Sequence, residues 1–126
     1  MINKEDANIL IVDDIEDNRY TLERRLKRDG YKNIFLAEGG KTALDMAVEN
    51  KFDLILLDLM MPDMSGLEVL KHLKGDPLQR SIPVIMVTAS DEVETAAECI
   101  INGADDFITK PFNGTLLKAR VGASLE

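Results

Sequence analysis

Three short stretches of this sequence, Ile9-Leu10-Ile11-Val12, Leu54-Ile55-Leu56-Leu57 and Val84-Ile85-Met86-Val87, are apolar at every position. A strand with one wet face alternates apolar and polar residues. An unbroken apolar run therefore marks a strand covered on both faces, as in a parallel sheet between two layers of helices. Two weaker runs, Ile34-Phe35-Leu36-Ala37 and Asp106-Phe107-Ile108-Thr109, fit strands nearer the edges. Between the runs, apolar residues recur at helical spacing: Leu22 and Leu26 before Gly30, then Ala43, Leu44, Ala47 and Val48, then Leu67, Leu70 and Leu73. Val93, Ala96, Ala97, Ile100 and Ile101 follow before Gly103, and Leu117 and Val121 close the series, with Gly30 and Gly103 placed as helix stops. Strand and helix thus alternate five times, which implies right-handed βαβ crossovers and an α/β fold with a doubly wound, five-stranded parallel sheet and helices on both faces. Ligands of such sheets sit outside the carboxyl ends of the strands, so that rim is the place to look for chemistry.

The 126 residues leave room for one domain, 1–126, with no linker or repeat. A chain of this size buries roughly two-thirds of its unfolded surface and needs no metal or disulfide staple. The single Cys99 excludes an internal disulfide and fits a reducing compartment. No apolar run approaches the roughly 20 residues that span a bilayer, and the first residues lack a basic-then-apolar signal pattern, so a cytoplasmic protein without a membrane partner is expected. Fifteen Lys and Arg stand against 23 Asp and Glu, a net charge of −8 and the wrong sign for tracking a phosphate backbone. Direct nucleic-acid binding is not expected. The last helical stretch runs from about Thr115 to Glu126 with no evident stop, which fits equally a domain cut from a longer protein and a helix that ends the polypeptide.

Polar residues fall at the carboxyl ends of these runs: Asp13 and Asp14 after the first, Asp58 after the third, Thr88 after the fourth, Lys110 after the fifth. Each has an ordinary explanation alone, as a helix cap, a turn carboxylate, a strand-end hydroxyl or a solvated lysine. Together, five residues remote in sequence converge on one rim, and geometric convergence is what separates a site from scattered polar groups. Three crowded carboxylates repel one another unless a cation neutralises them, and Mg²⁺ takes oxygen ligands, accepts one or two carboxylates and keeps several waters. A divalent ion, a hydroxyl and an ammonium together suit a phosphoryl group.

Four stretches carry a resemblance: Ile9 to Asp14, Leu56-Leu57-Asp58-Leu59-Met60-Met61-Pro62-Asp63-Met64-Ser65-Gly66, Pro83 to Ala89, and Gly103-Ala104-Asp105-Asp106-Phe107-Ile108-Thr109-Lys110-Pro111-Phe112. In this order they resemble the signature motifs of the receiver domain of bacterial two-component response regulators, and the likeness runs from about Asn8 to about Leu125. The resemblance implies a flavodoxin-like strand order 2-1-3-4-5. It makes Asp58 the phosphoacceptor, served by a sensor histidine kinase or a histidine phosphotransfer protein. It places Mg²⁺ on the Asp14 and Asp58 carboxylates and the Met60 carbonyl, with Asp13 acting chiefly through water. It sets Thr88, Lys110 and the Ala89 N–H on phosphoryl oxygens, a cis peptide at Lys110-Pro111, and Met60 and Ser90 as residues that tune phosphoryl lifetime. Thr88 and Phe107 become the switch pair, acting on the surface of the fourth helix, fifth strand and fifth helix to regulate an output, with homodimerisation on phosphorylation as one route. Phe107 stands where Tyr is commoner in the family, so a phenolic hydroxyl takes no part.

Such a domain catalyses its own phosphorylation and dephosphorylation but is a switch and not a metabolic enzyme. Competing readings fit less well. A haloacid-dehalogenase-type phosphohydrolase needs a carboxylate two residues after its nucleophile, where this chain has Met60; a flavin site lacks a Ser/Thr/Gly-rich loop after Val12; an unphosphorylated interaction module of the same fold would usually lack one of the five charged or hydroxyl positions. His72 is the only histidine and reads as a solvated helix residue, so a histidine phosphodonor must come from outside. Cys99 reads as packed, and the Arg24, Arg25, Lys27, Arg28 run as a solvated helix face. Gly66 is explained by turn chemistry after Pro62 and, with Ala89, leaves space beside Asp58.

Overall fold

The computed structural model describes residues 2–89 and 91–126. Strands β1 (Asn8–Val12), β2 (Asn33–Ala37), β3 (Leu54–Asp58), β4 (Val84–Ala89) and β5 (Asp106–Lys110) alternate with helices α1 (Glu16–Arg28), α2 (Gly40–Glu49), α3 (Gly66–Gly75), α4 (Val93–Ile101) and α5 (Gly114–Ser124). The strands form one parallel sheet in the order β2-β1-β3-β4-β5.

The unbroken apolar runs have the cause their composition implies. Successive side chains of a strand point to opposite faces, and each face is roofed by helices. Leu10, Val12, Ile55, Leu57, Val84 and Met86 pack with Ala43 and Ala47 of α2, Val69, Leu70 and Leu73 of α3, and Cys99 of α4. Ile9, Ile11, Leu54, Leu56, Ile85 and Val87 pack with Leu22 and Leu26 of α1 and Leu117 and Val121 of α5. Burying one such side chain contributes about 1.5–3 kcal/mol, so both layers anchor the central strands firmly.

Two of the helical stripes are wider than the face the sheet can cover. Val48 on α2 and Ile101 on α4 are 77% and 85% exposed, and Val93 and Ile100 are also exposed. A helix against a flat sheet buries a narrower arc than sequence periodicity marks out. Gly30 and Gly103 stop α1 and α4 with φ of 105° and 109°. Each allows the next residue's N–H to reach back, Tyr31 to the Leu26 carbonyl and Ala104 to the Cys99 carbonyl, the closing bond of a Schellman turn. α5 ends at Ser124, two residues before the expected Glu126, with Leu125 as its C-cap. Among the described residues no helix is long and apolar enough to cross a membrane.

Register puts the functional candidates at one height. Asp58 pairs with Val87, Thr88 with Thr109 and Ala89 with Lys110, while Val12, just before Asp13, pairs with Leu57.

Candidate functional site

β1 runs out into Asp13 and Asp14, and β3 ends in Asp58. One oxygen of each of these three carboxylates lies within 4.8 Å of the others. Asp13 and Asp58 are 1% and 5% exposed, and Asp14 is half-buried. Asp13 combines the cap-like role of a post-strand aspartate with a second one. Its Oδ1 accepts from the Ile15 N–H at 2.9 Å and from Asn18 Nδ2 at 3.4 Å, and its carbonyl accepts from Arg19 Nη1 at 2.7 Å. Its Oδ2 is buried without a hydrogen-bond partner among the described residues; the Lys110 ammonium lies 3.1 Å away as an ion pair, outside hydrogen-bond alignment.

Lys110 instead donates to Asp58 Oδ1 at 2.9 Å. Burial alone would lower its pKa, but the hydrogen bond to Asp58 and the charges of Asp58 and Asp13 outweigh this and hold the ammonium above its ordinary value. Burial pushes Asp58 up from 3.8 to about 6, against the Lys110 hydrogen bond and charge, with Asp13 and Asp14 adding repulsion. One ammonium thus faces three carboxylates, leaving a surplus of negative charge in a partly dry cup. An all-oxygen donor set, a buried carboxylate oxygen with no hydrogen bond among the described residues and that surplus fit a hard divalent cation such as Mg²⁺.

The neighbouring strand supplies hydrogen-bonding groups. The Thr88 side chain is fully buried and its Oγ1 has no hydrogen-bond partner among the described residues. An orphaned buried hydroxyl costs about 1–3 kcal/mol, which a ligand oxygen can recover. The Ala89 N–H donates to Glu92 Oε1 at 2.8 Å. The Lys110-Pro111 peptide is cis. The Met60 side chain is exposed, and Ser90 lies outside the described residues.

Gly66 does more than turn the chain. A Cβ there would lie 2.3 Å from the Asp58 carbonyl oxygen and 2.9 Å from Leu59 Cα, so α3 starts in direct contact with the backbone at the end of β3. Phe107 is half-buried with the Arg120 guanidinium 5.9 Å from its ring centroid, and Arg120 also donates to the Phe107 carbonyl and pairs with Asp106 at 3.5 Å. His72 is exposed and away from the cup, and Cys99 is buried with its thiol pKa raised by desolvation.

Two residues escaped the sequence reading. Asp63 reaches from the segment after β3 to accept from the Gly40 and Lys41 N–H groups at 3.2 and 3.0 Å, capping α2 from a distance. Those bonds, the Lys41 one first, lower its pKa. Glu92 is the other. It is the N-cap residue of α4, and its side chain reaches back three residues to the N–H of Ala89 at the end of β4.

Comparison with known proteins identifies the family. The family model described as "Response regulator receiver domain" matches residues 9–122. Response regulator PleD of Caulobacter vibrioides is 46% identical over 115 residues, 91% of this chain and 25% of that protein. The phosphate regulon transcriptional regulatory protein PhoB of Pseudomonas aeruginosa is 44% identical over 117 residues, 93% of this chain and 51% of that protein. The chain thus spans a quarter to about half of these relatives. Among solved structures, the receiver domain of Francisella response regulator 1452 superposes with a TM-score of 0.86 at 31% identity, covering 95% of this chain and 97% of that one. Vibrio cholerae chemotaxis protein CheY4 matches with a TM-score of 0.86 at 31% identity, covering 94% and 98%.

Proposed function

The chain belongs to the response regulator receiver family, and from that premise we propose that residues 1–126 form one receiver domain acting as a phosphorylation-controlled switch with Asp58 as phosphoacceptor. The observation that carries the reading is the cup itself: three carboxylates, one ammonium and a buried hydroxyl without a partner among the described residues, at the carboxyl ends of β1, β3, β4 and β5.

A carboxylate oxygen of Asp58 attacks the phosphorus of a phosphohistidine on a sensor kinase or phosphotransfer protein. The new O–P bond forms as the N–P bond breaks, and the donor imidazole leaves with the electron pair. Asp13, Asp14, Asp58 and the Met60 carbonyl would hold Mg²⁺, which supplies positive charge to the transferring oxygens when bound. Lys110, now bonded to Asp58, can turn its remaining donors to a phosphoryl oxygen. The Thr88 hydroxyl and the Ala89 N–H supply two more donors. The hydrolytic lifetime of the product depends on Met60 and Ser90.

The acquired group brings about −1.5 to −2 charges and new acceptors to the cup. Drawing Thr88 toward it vacates space behind β4, into which Phe107 turns. The surface of α4, β5 and α5 then changes shape, altering contact with an output domain, a target protein or a second copy of the chain. Such a domain is a signalling module and not a metabolic enzyme. The reading predicts base-labile, hydroxylamine-sensitive phosphate on the wild type after incubation with acetyl phosphate and Mg²⁺. Undiminished labelling after a chelator removes the metal would overturn it.

A further inference from the structure

α4 opens without the usual side-chain cap. Its N-cap residue is Glu92, half-buried, whose carboxylate makes no bond to the first turn of the helix. The side chain folds back instead, and Oε1 accepts from the Ala89 N–H at 2.8 Å, while the Glu92 N–H donates to the Ala89 carbonyl at 3.1 Å. Immediately before Ala89, the Thr88 hydroxyl is fully buried and has no hydrogen-bond partner among the described residues. Of two adjacent donors at the end of β4, one is held ready and the other is engaged by an anion.

We infer that Glu92 is a built-in competitor of the phosphoryl group, its carboxylate occupying the Ala89 N–H in the resting state and leaving it when Asp58 carries phosphate. The inference rests on the functional reading above, in which that N–H serves a phosphoryl oxygen. A single N–H points in one direction and satisfies one strong acceptor, and a carboxylate oxygen and a phosphoryl oxygen at the same donor would repel. The two occupancies therefore exclude each other. Because Glu92 is also the first residue of the α4 cap, its release frees the start of α4 at the moment of phosphorylation. Competition thus links occupancy of the cup to the helix that borders the output surface. It also sets a threshold, since the incoming group must displace a charge-assisted hydrogen bond.

The test uses beryllofluoride, a phosphoryl mimic, with Mg²⁺ on the whole chain, followed by the amide NMR signal of Ala89. Glu92→Ala should bind the mimic about tenfold more tightly than wild type, with Glu92→Gln between, because a neutral amide oxygen still accepts but more weakly. Asp91→Asn and Glu94→Gln remove nearby exposed charges without touching Ala89 and should shift affinity much less. In the resting protein the Ala89 amide signal should move in Glu92→Ala, and in the loaded state wild type and variant should coincide. Equal affinities for wild type and Glu92→Ala, an equal gain in the Asp91 or Glu94 variants, or Ala89 signals that still differ when loaded would each overturn the competition. Failure of the wild type to bind the mimic would instead overturn the functional reading, which keeps the two separable.

Discussion

The two ends of the same sheet treat carboxylates in opposite ways. At the amino ends of the strands, Asp53 precedes β3 and accepts from the Asn8 N–H at 2.8 Å, and Asp105 precedes β5 and accepts from the Val84 N–H at 2.8 Å. Each joins the start of one strand to its neighbour, and each carboxylate meets a fixed donor. At the carboxyl ends, Asp13, Asp14 and Asp58 crowd together around one ammonium, and a buried oxygen of Asp13 goes without a hydrogen bond. The first arrangement stabilises the fold; the second stores unfavourable charge that only a cation or another ligand relieves. The contrast separates aspartates that tie neighbouring strands together from aspartates left with surplus charge, without reference to any relative.

The largest expected difference between the two ends is in chemistry. Asp58→Asn should abolish phosphoryl incorporation from acetyl phosphate. Asp105→Ala, measured by the same mass-spectrometric assay, should incorporate at near wild-type extent at a temperature where it remains folded. Equal losses in both would erase the distinction.

Stability should change in opposite directions. In metal-free protein at neutral pH, Asp58→Asn should raise unfolding free energy by roughly 2–3 kcal/mol, because the ionised form is the disfavoured one in the folded state. Asp105→Ala should lower it by about 1–3 kcal/mol, having left the Val84 N–H without its acceptor. Denaturant unfolding checks both signs, and a destabilised Asp58→Asn would contradict the stored-charge account.

The pH dependence follows from the same shift. The folded-state pKa of Asp58 is raised from 3.8 to about 6, so its contribution is fully present below pH 3.8 and lost as pH rises through about 6. The stability difference between wild type and Asp58→Asn should therefore open across that window and stay constant above it. The metal should relieve the same surplus charge: Mg²⁺ at about a hundred times its dissociation constant should add about 2.7 kcal/mol to the wild type. Asp105→Ala should gain as much, whereas Asp13→Asn should gain less.

Much of this was legible in the chain because the relevant signals are local. Ile9 to Val12 and Leu54 to Leu57 announce strands roofed on both faces, and a polar residue directly after such a run must lie at its carboxyl end. Asp13, Asp14, Asp58, Thr88 and Lys110 could be brought together on that argument alone. What escaped it depends on distances between separate elements. Gly66 reads as a turn glycine until α3 is seen resting on the Asp58 carbonyl, and Asp63 as a loop carboxylate until α2 is placed beside it. Val48 and Ile101 belong to apolar stripes by spacing, yet how far a helix rolls onto the sheet decides their exposure. Asp53 and Asp105 carry no pattern of their own, since their partners lie 45 and 21 residues away.

Borohydride reduction of the protein after incubation with acetyl phosphate and Mg²⁺, followed by peptide mass mapping, reads the reacting carboxylate directly, because an acyl phosphate is reduced to an alcohol and a free carboxylate is not. The account predicts reduction at Asp58 alone, with Asp13, Asp14, Asp53 and Asp105 untouched. Reduction at any of those four in place of Asp58 would contradict it.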